Sequence, residues 1–259
     1  MPTFLFNEII FGPVSSRRLG ESLGINLLPV NRKICNFNCL YCECGLTFGN
    51  LQDKGKLPSR DMVREKLQET LESFLKENRH IDTITFAGNG EPTMHPDFNR
   101  IIEDTLDLRT KYYPRARIAV LSNATLLHKE KIRNALKKVD FNILKLDSAR
   151  EETIRKINCP MGHFSLEGLI ANLKTFSNNL TIQTLFVRGS YLDYTFDNAS
   201  QEEVDAWLGV LEVLKPELVM IYTIARDTPI NTVFKVSESD LQRIAKQVEV
   251  LGIPVTISG

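Results

Sequence analysis

The sequence lacks both an excess of one charge and any long apolar run. Lys and Arg together number 32 among the 259 residues, as do Asp and Glu, so no bulk positive field attracts a polyanion, although a local basic patch could still bind one. No stretch reaches the roughly 18 uncharged apolar residues of a membrane-spanning helix. The N-terminus has no basic segment, and Glu8 precedes any apolar run, which is unlike a signal peptide. We therefore expect a cytoplasmic protein that does not bind membranes.

Cysteine is scarce and unevenly distributed. The chain has five cysteines, an odd number, and Cys159 stands alone in the sequence. This distribution is unlike a disulfide framework and is typical of a metal or redox site in a reducing compartment. The four histidines lack metal-ligand spacing. The other four cysteines lie within one stretch of ten residues: Cys35, Cys39, Cys42 and Cys44.

Internal repeats, low-complexity tracts and Pro/Gly/Ser-rich linkers are lacking as well. A chain of 259 residues with 42% hydrophobic residues can bury one sizeable core. The sequence therefore predicts a single domain over residues 1–259, in which residues 1–22 lead into the first strand.

Short β-branched runs alternate with amphipathic segments along the chain. The runs predict strands at 24–28, 83–87, 118–121, 142–146, 181–187, 219–222 and 255–257. The amphipathic segments predict helices at 60–75, 96–110, 129–138, 166–176, 201–214 and 238–251. This alternation implies right-handed βαβ units and a parallel α/β sheet, either open or curled into a partial barrel. We expect the active chemistry at the C-terminal ends of the strands.

The first predicted strand is followed closely by the cysteine motif. Cys35, Cys39 and Cys42 have the spacing C-x3-C-x2-C, and no second cysteine or histidine pair follows. Structural zinc normally takes four protein ligands in two clusters, so three cysteines leave one coordination position open. An iron–sulfur cluster with one unligated iron fits that arrangement. A zinc knuckle with Cys44 as its fourth ligand is the alternative.

The cysteine spacing, with the aromatic Tyr41 before the last cysteine, resembles the motif of the radical S-adenosylmethionine (SAM) superfamily. The resemblance implies a partial (β/α)6 barrel with parallel strands, and a [4Fe-4S] cluster held by Cys35, Cys39 and Cys42. It implies SAM as the second cofactor, with Tyr41 beside it. It also implies a partner that supplies low-potential electrons, such as flavodoxin or ferredoxin.

Residues at later strand ends are similar to the SAM contacts of that superfamily. Ala87-Gly88-Asn89-Gly90-Glu91-Pro92 resembles its Gly-Gly-Glu-Pro motif, which engages the amino group of SAM, although Asn89 replaces the second glycine and Gly90 is added. Polar residues that follow the other strands are candidates for the ribose or carboxylate of SAM, with helix capping as the alternative. The predicted cofactor contacts are Tyr41, Gly88, Asn89, Gly90, Glu91, Ser122, Asn123, Asp147 and Gln183.

A longer similarity narrows the branch of the superfamily. The segments FGPVSSRRLG at 11–20, LFVRG at 185–189 and IYTIAR at 221–226 resemble short Fe-S oxidoreductase-like proteins grouped with the wybutosine-synthesis enzymes. Arg17, Arg18 and Arg226 are the candidates for binding a substrate, because arginines form charge-assisted hydrogen bonds with anionic groups.

The resemblance implies reductive cleavage of SAM to a 5′-deoxyadenosyl radical that abstracts hydrogen from a substrate. The substrate stays open among a small molecule, a tRNA and a protein. Two alternatives to this function are a tRNA-base-modifying enzyme of the wybutosine type and a non-catalytic zinc or Fe-S binding module. A module would bind metal without cleaving SAM.

Overall fold

A computed structural model describes residues 4–16, 18–47, 49, 55–176 and 179–258. In this part of the chain, no helix is both long and apolar enough to cross a membrane.

Serine caps and apolar stripes define most of the helices. Helix α1 (Arg60–Lys76) begins after Ser59, whose hydroxyl accepts a hydrogen bond from the Met62 amide at 3.2 Å, and it buries Val63, Leu67 and Leu71. Serine hydroxyls cap three later helices in the same way. The other helices are α2 (Phe98–Tyr112), α3 (Glu130–Leu136), α4 (Glu151–Ile157), α5 (Leu166–Leu173), α6 (Gln201–Leu214) and α7 (Glu238–Val250).

The strands of the main sheet curl into a half-barrel. Among the described residues, it has eight strands in the order β1-β2-β3-β4-β5-β6-β9-β11. Strand β1 pairs antiparallel with β2, and all the later pairs are parallel. The fold class predicted from the sequence is therefore confirmed. The strands are β1 (Ile10–Ser16), β2 (Gly20–Ile25), β3 (Thr83–Phe86), β4 (Arg117–Ser122), β5 (Phe141–Lys145), β6 (Thr181–Leu185), β9 (Leu218–Tyr222) and β11 (Val255–Ser258).

The first parallel strand begins and ends earlier than predicted. It leaves the sheet at Asn26, whose side chain accepts a hydrogen bond from the Leu28 amide at 3.2 Å and donates one to the Leu28 carbonyl at 3.0 Å. Such a local side-chain turn competes with a strand ladder. Residues 26–28 of the predicted strand therefore lead into the cysteine loop rather than continuing the strand.

A second sheet lies outside the sequence prediction. It contains β7 (Val187–Tyr191), β8 (Tyr194–Asp197) and β10 (Val233–Lys235), all antiparallel. The predicted strand 181–187 is in fact divided between β6 and β7. Asn198 accepts a hydrogen bond from the Val187 amide at 2.7 Å and donates one to the Leu185 carbonyl at 2.8 Å, so its side chain fixes the bend between the two strands.

The inside of the half-barrel is filled by apolar side chains near the beginning of its strands. Ala119, Ile143 and Met220 are buried there, and Leu19 packs against them from the turn between β1 and β2. The neighbouring residues in the same strands point outward and join the core beneath the helices. The interior is therefore closed at its N-terminal end, and open space remains toward the C-terminal ends of the strands.

Candidate functional site

A cavity of about 460 Å³ occupies the C-terminal half of the barrel interior, within the range of small-molecule sites. Cys35, Cys39 and Cys42 all line it. So do residues at the ends of the barrel strands, among them Ser122, Lys145, Leu185, Tyr222 and Ser258. The predicted location of the site at this edge of the sheet agrees with the cavity.

Backbone contacts hold the cysteine loop against the turn that follows β3. The Ile34 amide donates to the Asn89 carbonyl at 2.9 Å, and the Glu91 amide donates to the Ile34 carbonyl at 3.0 Å. Gly90 has φ +134°, and a Cβ there would lie 1.8 Å from the Ile34 carbonyl oxygen. Glycine is therefore required at position 90 so that the two backbones can meet, whatever else the turn contacts.

Amide groups surround the sulfur atoms of the first two cysteines. The Phe37 amide donates to Cys35 Sγ at 3.4 Å and Asn123 Nδ2 does so at 3.6 Å, while Asn158 Nδ2 donates to Cys39 Sγ at 3.3 Å. Both cysteines are buried, and burial raises the pKa of the Cys35 thiol to about 12. Hydrogen bonds to sulfur stabilise thiolate ligands of iron–sulfur clusters. These contacts therefore suit metal-bound thiolates better than free thiols.

Cys42 lies beside a second cysteine and a buried lysine. A hydrogen bond from the Cys44 thiol and the charge of Lys33 lower the pKa of Cys42 despite its burial. Burial by itself lowers the pKa of Lys33, but the nearby Cys42, Cys35 and Cys39 outweigh it and the pKa is raised. Lys33 is thus a cation beside the three cysteines, with its Nζ also donating to the Gly45 carbonyl at 2.8 Å.

The three cysteines fit a cluster better than a single metal ion. In the described ranges, no three Cys, His, Asp or Glu side chains converge as a mononuclear site requires. In a [4Fe-4S] cluster each thiolate binds a different iron, so the three sulfur atoms surround a group larger than one ion. The donor set, the amide groups around it and its place at a cavity wall therefore fit that cluster.

A buried polar network supports Tyr41 and Cys39 from behind. The Asp147 side chain has no exposed area. It accepts hydrogen bonds from the Tyr41 hydroxyl, from Asn158 Nδ2 at 2.7 Å and from the Leu185 amide at 3.0 Å. Lys145 Nζ lies 3.4 Å from the same carboxylate, and this charge raises the pKa of Lys145 although burial lowers it. Lys145 is therefore positively charged at neutral pH, where it lines the cavity.

Glu91 joins the ends of two strands. Its carboxylate accepts hydrogen bonds from the Ser122 hydroxyl at 2.8 Å, the Asn123 amide at 2.7 Å and the Thr93 amide at 3.1 Å. Burial raises its pKa, and these hydrogen bonds oppose the shift. Both oxygens of Glu91 therefore already have partners in the protein.

The structure separates two predicted cofactor contacts from the cavity. Asn89 is fully buried, and its amide group pairs with Phe6 and with the Pro29 carbonyl. Asp147 is enclosed by the network around Tyr41. Neither residue lines the cavity, because each side chain points toward the protein interior. Direct contacts of these two residues with a cofactor stay a prediction.

The other predicted residues surround the same space. Arg226 Nη1 pairs with Glu43 Oε2 at 2.7 Å at the mouth. Arg17 lies outside the described residues. No motif in the sequence identifies Lys33 or Lys145 as a site residue. A charged residue at the end of an apolar strand was the signal that could have pointed to Lys145. The predicted residues that line the cavity are Arg18, Cys35, Cys39, Tyr41, Cys42, Gly88, Gly90, Glu91, Ser122, Asn123, Gln183 and Arg226.

Comparison with known families agrees with this arrangement. The family model of the radical SAM superfamily matches residues 33–187, which include the cysteine loop and strands β3 to β6. This chain belongs to the radical SAM superfamily. It is 29% identical to a UPF0026 protein of Synechocystis over 95% of this chain and 94% of the relative. It is 30% identical to a protein of Brachyspira hyodysenteriae named GTPase Obg, over 93% of this chain but only 33% of that protein.

Other radical SAM structures share the fold. A radical SAM methyltransferase from Sphaerobacter thermophilus superposes with a TM-score of 0.66 at 15% identity, over 92% of this chain and 65% of that one. Streptococcus suis SuiB bound to S-adenosylmethionine superposes with a TM-score of 0.63 at 14% identity, over 91% of this chain and 50% of SuiB. The present chain thus spans about a third to two thirds of several proteins that it resembles.

Proposed function

We propose that this protein is a radical SAM enzyme in which Cys35, Cys39 and Cys42 hold a [4Fe-4S] cluster. The observation that carries the proposal is that all three thiols line one cavity together with the polar strand ends of the barrel. When bound, the cluster and SAM supply a 5′-deoxyadenosyl radical by one-electron cleavage of the sulfonium bond, with a donor such as flavodoxin or ferredoxin as the electron source. Hydrogen abstraction from a substrate held in the barrel is the chemistry that the cluster and SAM would supply there.

In this proposal the chain orients the sulfur ligands and keeps their surroundings dry. Asn123 and Asn158 donate hydrogen bonds to Cys35 and Cys39 at 3.6 and 3.3 Å, which fixes those sulfurs and favours their charged form. Lys33 places a positive charge beside the three thiolates. Because Cys35 and Cys39 are buried, water has little access to these two side chains.

The proposal assigns the cofactor side of the cavity to the strand ends next to the cysteines. Gly88 and Gly90 bring backbone polar groups to the cavity wall, and Ser122, Asn123 and Gln183 add side chains. Hydroxyl and amide groups of this kind bind ribose hydroxyls and the polar groups of an amino acid. SuiB, which shares the fold, binds S-adenosylmethionine, and this supports the assignment.

Anaerobic reconstitution tests the proposed function. The protein is loaded with iron and sulfide, reduced with dithionite and mixed with SAM, and 5′-deoxyadenosine is measured by chromatography. We expect a product that depends on both the reductant and the cluster. Tight binding of zinc or of a cluster, with no SAM cleavage above the protein-free control, would favour the non-catalytic module instead.

A further inference from the structure

Arg18 extends into the barrel cavity from the end opposite the cysteine loop. It belongs to the turn between β1 and β2, where Leu19 packs against the apolar side chains near the beginning of the strands. The Ser16 hydroxyl accepts hydrogen bonds from the Arg18 and Leu19 amides at 3.3 and 3.2 Å and so fixes the turn. The guanidinium carbon lies 4.8 Å from the centre of the Tyr222 ring, which orients the cation inside the barrel.

The guanidinium is incompletely paired. Within the described ranges, Arg18 Nη1 is buried and has no hydrogen-bond partner. A buried donor without an acceptor costs about 1–3 kcal/mol and calls for an explanation. Because Arg18 lines the cavity, an anionic ligand bound there would supply an acceptor for its guanidinium group.

The carboxylates that line the cavity are paired with groups other than Arg18. Glu91 accepts hydrogen bonds from Ser122 and Asn123, and Glu43 pairs with Arg226 at the mouth. Lys145 also lines the cavity, but Asp147 balances its charge. Among the described cations that line the cavity, Arg18 is therefore the one with a buried side-chain nitrogen that lacks an acceptor.

We propose that Arg18 binds an anionic group, a carboxylate or a phosphate, of the substrate that is positioned for hydrogen abstraction. This inference rests on the proposed function and narrows its substrate class to an anion. SAM also has a carboxylate, but the proposal places SAM beside the cysteines at the C-terminal ends of the strands. Arg18 enters from the turn at the other end of β2, and its guanidinium lies over Tyr222 of β9, which is four strands away from β3 in the sheet. We therefore assign its partner to the second ligand. A guanidinium recognises either anion through paired N–H donors.

Inorganic phosphate and malonate are suitable probes of this anion site. The melting temperature of the cluster-loaded protein is measured anaerobically at rising probe concentration, with sodium chloride keeping ionic strength constant, and gives an apparent Kd. We expect at least one probe to bind the wild type and to bind Arg18→Gln at least tenfold more weakly. Arg18→Lys should recover part of the loss because it keeps the charge.

Arg117→Gln is the matched control. Its guanidinium lies 5.1 Å from the centre of the Phe141 ring, but Arg117 does not line the cavity, so its loss should leave probe binding unchanged. Unaltered circular dichroism would show that each variant folds. Equal affinities in wild type and Arg18→Gln, or no binding of either probe to the wild type, would overturn the inference.

Competition between SAM and the probe shows whether Arg18 binds an anionic group of the substrate or the carboxylate of SAM. Phosphate or malonate affinity is measured with and without saturating SAM. Unchanged affinity supports a substrate site, whereas displacement by SAM would assign Arg18 to the SAM carboxylate and contradict the inference. Probe binding does not depend on SAM cleavage, so a protein that binds the probe but forms no 5′-deoxyadenosine refutes the proposed function alone.

Discussion

Replacing Cys39 with alanine is expected to lower 5′-deoxyadenosine formation at least about 100-fold. Even groups that only support metal ligands change affinity or activity by about 10- to 100-fold, and Cys39 is proposed to be a ligand itself. Its sulfur lines the cavity and accepts a hydrogen bond from Asn158 at 3.3 Å. The same variant should bind less iron and show weaker visible absorption after reconstitution.

Cys159→Ala is the matched control for that change. Cys159 is half-buried, contacts the Lys156 carbonyl at 3.4 Å through its thiol and does not line the cavity. The Cys159→Ala variant should retain the iron content and the SAM cleavage of the wild type. If Cys39→Ala retained them too, the proposed ligand set would be wrong.

Replacing Asp147 with asparagine is expected to lower the free energy of unfolding by about 3–5 kcal/mol, the cost of breaking a buried ion pair. The asparagine NH₂ would face the donors that now reach the carboxylate, namely Tyr41 and Asn158. Lys145, whose side chain is largely buried, would keep its charge without a balancing partner. Urea denaturation of wild type and variant measures the difference.

A double variant separates the charge imbalance from loss of packing. Asp147→Asn combined with Lys145→Met should recover part of the lost stability, because the uncompensated cation is removed. Asp107→Asn, on the exposed side of α2, should change the free energy of unfolding by no more than about 0.5 kcal/mol. If the free energy of unfolding of Asp147→Asn lay within about 1 kcal/mol of the wild-type value, the network would contribute little to stability.

The parallel part of the fold could be predicted because each strand and helix has its own periodic pattern. Helix α6 agrees with its predicted bounds, and the other predicted helices differ by a few residues at their ends. Strand β1 and helix α4 were missed because the strand has no buried residue and the helix has only seven residues. The break between β6 and β7 depends on Asn198, which lies beyond the apolar run and donates to Leu185.

The proximity of the three cysteines was predictable because they lie within eight residues of one another, so little of the tertiary fold is needed to bring them together. The direction in which an individual side chain points could not be predicted. Asn89 and Asp147 follow strands as a site residue should, yet both point inward to hydrogen-bond partners. Lys33 reaches the cysteines only because the loop folds back over it. Arg18 was a substrate candidate by charge, but its unpaired donor is seen only in the folded half-barrel.

Pulsed electron paramagnetic resonance with labelled SAM tests the central claim most directly. The wild-type protein is reconstituted, reduced to the paramagnetic cluster and mixed with SAM that carries ¹⁵N in its amino group. If three cysteines hold the cluster and leave one iron for SAM, a ¹⁵N hyperfine coupling should appear, and it should be absent in Cys39→Ala. A fully formed wild-type cluster whose spectrum does not change with SAM and shows no ¹⁵N coupling would contradict the account.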